Sequence, residues 1–172
     1  MLSKIYGEAL LHQAGLPFTI VRPHNFYGPR MGLSHVIPEL LQKAHCAKEG
    51  STIDVFSTEH RRTFCFIRDA IELIYRAVES PAGEGQVLNI GTQAPEVTIG
   101  ELAKQVIAAV GKRLDIVSRP ATPGSPVRRC PDMTRTHRVT GYCAQTSLTA
   151  GIQETYRWYR MHVFDGQGIS AI

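Results

Sequence analysis

The chain has 172 residues, 43% hydrophobic and 20% charged, with a formal net charge of +4. That length suits one domain with a real core and is short for two, and the composition is that of a globular protein. No apolar run approaches the ~18 residues of a membrane span, nothing resembles a signal peptide, and there is no long Lys/Arg run or nucleic-acid-binding pattern. The mild basicity therefore fits a solvated surface or a small-anion site, with no membrane and no nucleic acid expected.

The opening, MLSKIYGEAL, sets Leu2, Ile5, Ala9 and Ala14 at helical steps, with Leu10 and Leu11 beside them. No Ser, Thr, Asp or Asn precedes the run, and Lys4 sits where the macrodipole disfavours a cation. Ser3 is followed three residues on by Tyr6, where a capping box would carry Glu or Gln. The helix reads as one entered in its middle. Gly15 and Pro17 end it, and Phe18–Val21 is predicted as a short strand buried on both faces.

HNFYGPRMG is a predicted loop turning at Gly28-Pro29. SHVIPELLQKAHCAKEG is a predicted helix with Pro38 tolerated near its start, and TIDVF alternates like a half-exposed strand. Phe64–Ile67 is a predicted strand running straight into a helix, with Asp69 as its N-cap and Glu72 at N3. QVLNIG is another buried strand. Thr98 and Glu101 form a capping box for TIGELAKQVIAAVG, which Gly111 ends. LDIVSRP is strand-like, ATPGSPVRRCPD is a Pro-rich loop, SLTAGIQETYRWYRMHVF is a last amphipathic helix, and DGQGISAI is a frayed tail. Strands alternating with helices predict a single α/β domain over 1–164 and a flexible tail over 165–172.

Four cysteines, Cys46, Cys65, Cys130 and Cys143, form no C-x-x-C pair and stand at no zinc-site spacing from the seven histidines. Reduced thiols, a cytoplasmic setting and no metal site are expected.

Taken in order, SKIYGE, TIVRPHNFYGPR, RRTFCFIRDAIELI, VLNIG, PGSPVRRCPD and SLTAGIQETYRWY resemble the extended short-chain dehydrogenase/reductase family, in its NAD-dependent epimerase/dehydratase group acting on nucleotide sugars. The resemblance covers nearly the whole chain but only the family's C-terminal half. It implies the C-terminal part of a Rossmann-type fold, the last sheet strands plus a small substrate-binding lobe, without the N-terminal dinucleotide-binding strands. Family members open with G-x-x-G-x-x-G after a first strand. The fifteen glycines here contain neither that spacing nor G-x-G-x-x-G. The family's catalytic tyrosine stands four residues before its lysine. If Lys4 is that lysine, the tyrosine would immediately precede Met1, and no other tyrosine here has a lysine four residues later.

In the family that tyrosine moves a proton at the sugar hydroxyl while hydride moves between a sugar carbon and the nicotinamide. A phenol of pKa near 10 is a poor base at neutral pH, and a nearby lysine cation favours its phenolate. Lys4 is thus the implied catalytic and cofactor-binding lysine, although without the tyrosine it is more simply an exposed helix lysine. The substrate side is drawn from the half that is present. Asn25 is implied to contact the nucleotide sugar, or else is a turn residue before Gly28. His24 would line the nicotinamide end if the other half were supplied. Val36 and Ile37 match the segment around the base, or are helix core. Arg62, seven residues before Asp69, matches a phosphate-binding arginine, and a guanidinium fork suits a diphosphate. Arg128 and Arg129 both match a second arginine contact. Phe56 stands near the base by resemblance, with core packing the favoured reading, and Ser57 to His60 lack the family's usual glycine. Asn89 reads as structural, and the tyrosines and Trp158 of the last helix stand at core spacing.

The expectation is a truncated NAD-dependent nucleotide-sugar epimerase/dehydratase that binds a nucleotide-diphosphate sugar without turning it over alone. NAD is the family's cofactor and is not expected on this chain by itself. Removing neighbouring strands exposes an edge, an association site. A homodimer is the favoured outcome, and a complementary N-terminal chain completing a half-enzyme is the alternative. A non-catalytic, homo-oligomeric structural or interaction protein is the third reading.

Overall fold

The computed structural model describes residues 2–166. Helix α1 (Leu2–Gln13) buries none of its residues. Strand β1 (Ile20–Pro23) and a two-residue strand β2 (Phe26–Tyr27) follow. Helix α2 (Val36–Cys46) turns Ile37, Leu40, Leu41 and Ala44 inward at helical spacing, with Pro38 in its first turn. In β3 (Thr52–Phe56) the alternation buries Ile53 and Val55 and turns Thr52 and Phe56 outward.

The short strands β4 (Arg61–Arg62) and β5 (Cys65–Phe66) lead directly into α3 (Ile67–Glu79). Then come β6 (Val87–Ile90), β7 (Val97–Thr98) and α4 (Ile99–Val110). Helix α4 has both bonds of its capping box, between Thr98 and Glu101, and ends at Gly111 in the left-handed conformation that glycine adopts without steric cost. The rest is β8 (Asp115–Arg119), β9 (Arg128–Arg129), α5 (Thr134–Thr140) and α6 (Leu148–Tyr159), which a π-helical turn extends through Phe164.

Three parallel pairs form, β1 with β6, β2 with β5, and β3 with β8. A three-stranded strip orders as β7-β4-β9, antiparallel on the β7 side and parallel on the β9 side. Two cores result. The larger gathers Leu40, Leu41, Val55, Leu102, Val106 and Ile152 from α2, α4 and α6 against β3. The smaller packs α3 and α5 on β6 through Leu73, Ala77, Leu88, Ile90 and Met133. No described helix is long and apolar enough to cross a membrane.

Several elements differ from expectation. Strand β1 lies two residues later than Phe18–Val21, and it is not buried throughout: Ile20 is covered while Arg22 and Pro23 are exposed. A parallel strand is covered on both faces only when helices pack on both, and α1 buries nothing against it. Asp69 is not an N-cap. Phe66 holds that position with no side-chain bond, and Asp69 sits inside the first turn with its carboxylate bonded to Tyr142, Gln145 and Thr146. The local Asp-x-x-Glu pattern was outcompeted by a tertiary contact. Strands β2 and β9 form within segments expected to be loops. At the C-terminal end Asp165 bonds Arg160 and His45; the remainder of the expected tail, 167–172, lies outside the described residues.

Candidate functional site

A cleft of about 320 Å³ opens between α2, β3 and β4. Arg62 and Lys43 are the Lys/Arg cations of its lining, and Arg62 is only 9% exposed. Its guanidinium donates to the carbonyls of Arg61 (2.7 Å) and Pro126 (2.6 Å) and to Ser125 Oγ (3.1 Å). No carboxylate among the described residues pairs with it, and burial together with the Arg129 charge lowers its pKa. A buried cation held by neutral acceptors keeps an uncompensated charge, which a bound anion would stabilise.

The pairing of β4 with β9 separates two arginines that the sequence alone leaves equivalent. Arg61 lies opposite Arg128, and Arg62 opposite Arg129. Opposed residues share a face of a sheet, and successive ones alternate. On one face Arg61 and Arg128 both approach Glu96, with Arg128 bidentate at 2.7 and 3.1 Å. That bond pushes the Arg128 pKa up and holds Glu96 below the usual carboxylate range. On the other face Arg129 accompanies Arg62, exposed and without an acidic partner among the described residues.

Two non-glycine residues on the cleft wall have left-handed backbones, Asn25 (φ 44°) and Ser57 (φ 57°). Ser57 thus adopts a conformation that favours glycine, and its Oγ accepts the Thr122 N–H at 3.0 Å. Asn25 is better suited to this region, and its Nδ2 donates to the Thr63 carbonyl at 2.9 Å. It is a turn residue and a lining residue together. His60, 7% exposed, lies with Nδ1 3.3 Å from Ser125 Oγ.

Of the residues singled out from sequence, the cleft gathers Asn25, Val36 and Arg62. Ile37 is buried in the core and borders a smaller neighbouring cleft of about 70 Å³. His24 lies off the main cleft, its N–H bonded to the Ile90 carbonyl at 2.8 Å. Lys4 is exposed on α1, and Arg128 is engaged by Glu96. Asn89 bonds the Asp132 carbonyl. Phe56, expected in the core, is 49% exposed on the cleft wall, because the alternation of β3 spends its inward positions on Ile53 and Val55. Sequence reasoning missed Glu39, Lys43, His60 and Ser125. The i,i+4 spacing of Glu39 and Lys43 was readable, whereas nothing in the sequence brings Ser125 to Arg62. Among the described residues, no group of three or more His, Cys, Asp or Glu could hold a metal ion.

This arrangement of parallel strands, flanking helices and an arginine-lined cleft coincides with known proteins. The sequence profile of the "NAD dependent epimerase/dehydratase family" matches residues 1–91. The chain is 36% identical to a dTDP-4-dehydro-6-deoxy-D-allose reductase from a Streptomyces species, over 94% of this chain and 50% of that protein. It is 31% identical to the GDP-L-fucose synthase of Escherichia coli K12, over 92% and 54% respectively. The crystal structure of a UDP-glucose 4-epimerase from Thermotoga maritima with UDP-glucose superposes with a TM-score of 0.78 and 26% identity, covering 91% of this chain and 50% of that one. The chain belongs to the NAD-dependent epimerase/dehydratase family of extended short-chain dehydrogenases/reductases, and its α/β fold is part of their Rossmann-type architecture. It spans about half the length of the relatives it matches.

Proteins of this family use NAD, and a dinucleotide needs free amides at a strand–turn–helix junction. Strand β5 enters α3 with no turn, and the first turn of α3 carries Asp69. At the β7–α4 junction the capping box occupies the amides of Thr98 and Glu101. A carboxylate in the first turn of each helix, Asp69 and Glu101, adds negative charge where a pyrophosphate would sit. Neither of these two junctions fits the dinucleotide.

Proposed function

We propose that this chain is the nucleotide-sugar-binding part of a family enzyme, taking a nucleoside-diphosphate sugar into the cleft and performing no redox turnover alone. The observation that carries this reading is Arg62, a nearly buried guanidinium on the cleft wall without a carboxylate partner among the described residues. Arg62 and Arg129 engage the diphosphate, Asn25 contacts the sugar, and Val36 and Ile37 border the base. Lys4 and His24 act on NAD only when a further chain completes the dinucleotide site. The exposed apolar residues of α1 and the free edge of β1 support a homodimer, or a complementary N-terminal chain, as the cover for that face. The four free thiols fit a cytoplasmic protein.

Thermal shift tests the reading with UDP-, dTDP-, GDP- and CDP-sugars, with NAD as the expected negative. A ligand at 100 times its Kd adds about 2.7 kcal/mol when it binds only the folded state, which raises Tm by about 5–10 °C in a chain of this size. Arg62→Ala abolishes the shift. Arg129→Ala weakens binding about tenfold, as expected for a lost charge-assisted bond, while Arg128→Ala stays within about twofold. Absence of a shift with every nucleotide sugar refutes the reading.

A further inference from the structure

The relatives carry dTDP, GDP and UDP in their names and leave the base open. The cleft is more particular. Resting on the reading that a nucleoside diphosphate occupies it, we infer that the base is guanine, selected by Glu39 and Lys43 on the wall formed by α2 and β3.

Glu39 and Lys43 stand one helical turn apart and both line the cleft, with Lys43 Nζ 2.6 Å from Glu39 Oε1. Their side chains are 45% and 32% exposed, and a pair so open to water is weak enough to exchange partners with a ligand. Lys43 is also held from behind, donating to the Asp54 carbonyl at 3.3 Å and lying 5.6 Å from the centre of the Phe56 ring. The Asp54 carboxylate does not compete for it, being bonded to Arg119 at 2.9 Å. The wall therefore offers two acceptor oxygens beside one ammonium donor, next to a half-exposed aromatic ring on which a base can stack.

Guanine presents the complement. Its N1–H and 2-amino N–H are adjacent donors, and O6 is an acceptor beside them. A carboxylate accepts the two N–H groups together, and the ammonium donates to O6. Uracil and thymine place their single ring N–H between two carbonyls, so the second carboxylate oxygen would face an oxygen. Adenine presents an unprotonated ring nitrogen where guanine has N1–H, and would set a lone pair against the carboxylate. Arg62 recognises a diphosphate whatever the base. Selection consequently falls to the helix pair.

Calorimetric titration of the 172-residue chain with GDP, UDP, dTDP and ADP tests this, in wild type, Glu39→Gln, Glu39→Ala and Arg62→Ala. GDP should bind about tenfold more tightly than the other three, or better. Glu39→Gln replaces two acceptors by an acceptor and a donor, the match for N3–H and O4 of uracil. It should weaken GDP about tenfold and close or reverse the margin over UDP, while Glu39→Ala removes the preference. Glu39 is half-exposed and its ion pair with Lys43 is open to water, so the Tm of the free protein should fall by no more than about 1–3 °C in either variant. UDP or dTDP binding as tightly as GDP, or a GDP preference surviving in both Glu39 variants, overturns the assignment. If those nucleotides still require Arg62, the nucleotide-sugar reading stands and only guanine falls. If no nucleoside diphosphate binds, both fall.

Discussion

Asp69 is 2% exposed, and its carboxylate uses both oxygens. Oδ1 accepts from the Tyr142 hydroxyl (2.7 Å) and the Gln145 N–H (2.9 Å), and Oδ2 accepts from the Thr146 N–H (3.0 Å). Burial pushes its pKa up, but the donors from Gln145, Thr146 and Tyr142 outweigh burial and leave it below the usual value. The bond to Asp69 holds the Tyr142 phenol protonated, its pKa pushed up to about 12. A carboxyl depressed on folding adds stability above its unfolded pKa of about 4, and that stability is lost as pH falls through the folded value. Asp69→Asn can satisfy only part of this set, and should cost about 2–3 kcal/mol, or roughly 4–12 °C in Tm at pH 7. The gap between variant and wild type should narrow as pH falls below about 4; a gap independent of pH would show that the charge is not what holds the loop. The aspartate was visible in the sequence as a structural residue. Its partners, more than seventy residues away, were not, and for the same reason Arg128 and Arg129 could be told apart only once β9 was paired with β4.

At the scale of elements, legibility follows how local the determinant is. The capping box of α4 and the alternation of β3 are written within a few residues, and both form as read. Strands β2 and β9 are two residues long, too short for any periodicity, and exist because a partner strand lies alongside. Helix α6 shows local preference and tertiary packing in direct conflict. Gly151 is buried within it, where Ala would favour the helix by about 0.5–1 kcal/mol. A Cβ at 151 would, however, collide with the Tyr27 hydroxyl and lie 2.7 Å from its ring carbon and 2.9 Å from Phe66 Cδ2. Both rings are 2% exposed and packed against one another at 5.4 Å between centroids, so neither has room to yield. Overpacking of this kind costs about 1–3 kcal/mol or more and should win. Gly151→Ala is expected to lower Tm by several degrees, whereas Gly7→Ala in α1, where an added methyl meets nothing within 4 Å, should be neutral or favour its helix. Equal effects at the two sites would mean that α6 does not approach Tyr27 this closely.

Over the whole molecule, protection is distributed unevenly. The helices α2, α4 and α6 share the larger core, while α1 leaves Leu2 (70%), Ile5 (57%) and Leu10 (66%) exposed. A helix of twelve residues is marginal in water without packing. What ties α1 down is the Glu8–Arg22 pair, open to solvent and therefore weak, and an edge-on contact of His12 with Phe18. In a free protomer the amides of 2–13 should exchange at nearly unprotected rates while those of α4 exchange only through global opening. A partner covering the apolar face of α1 would slow them, and the conditions under which it did so would identify the cover. For a homodimer, protection rises with protein concentration in parallel with sedimenting mass, and Leu10→Lys abolishes both. For an enzyme completed by a second chain, protection is absent at every concentration and returns on adding a chain that carries the glycine-rich turn and the tyrosine, together with turnover. Amides in α1 that stay protected in a dilute monomer would contradict both, since the helix would then be stable without any partner.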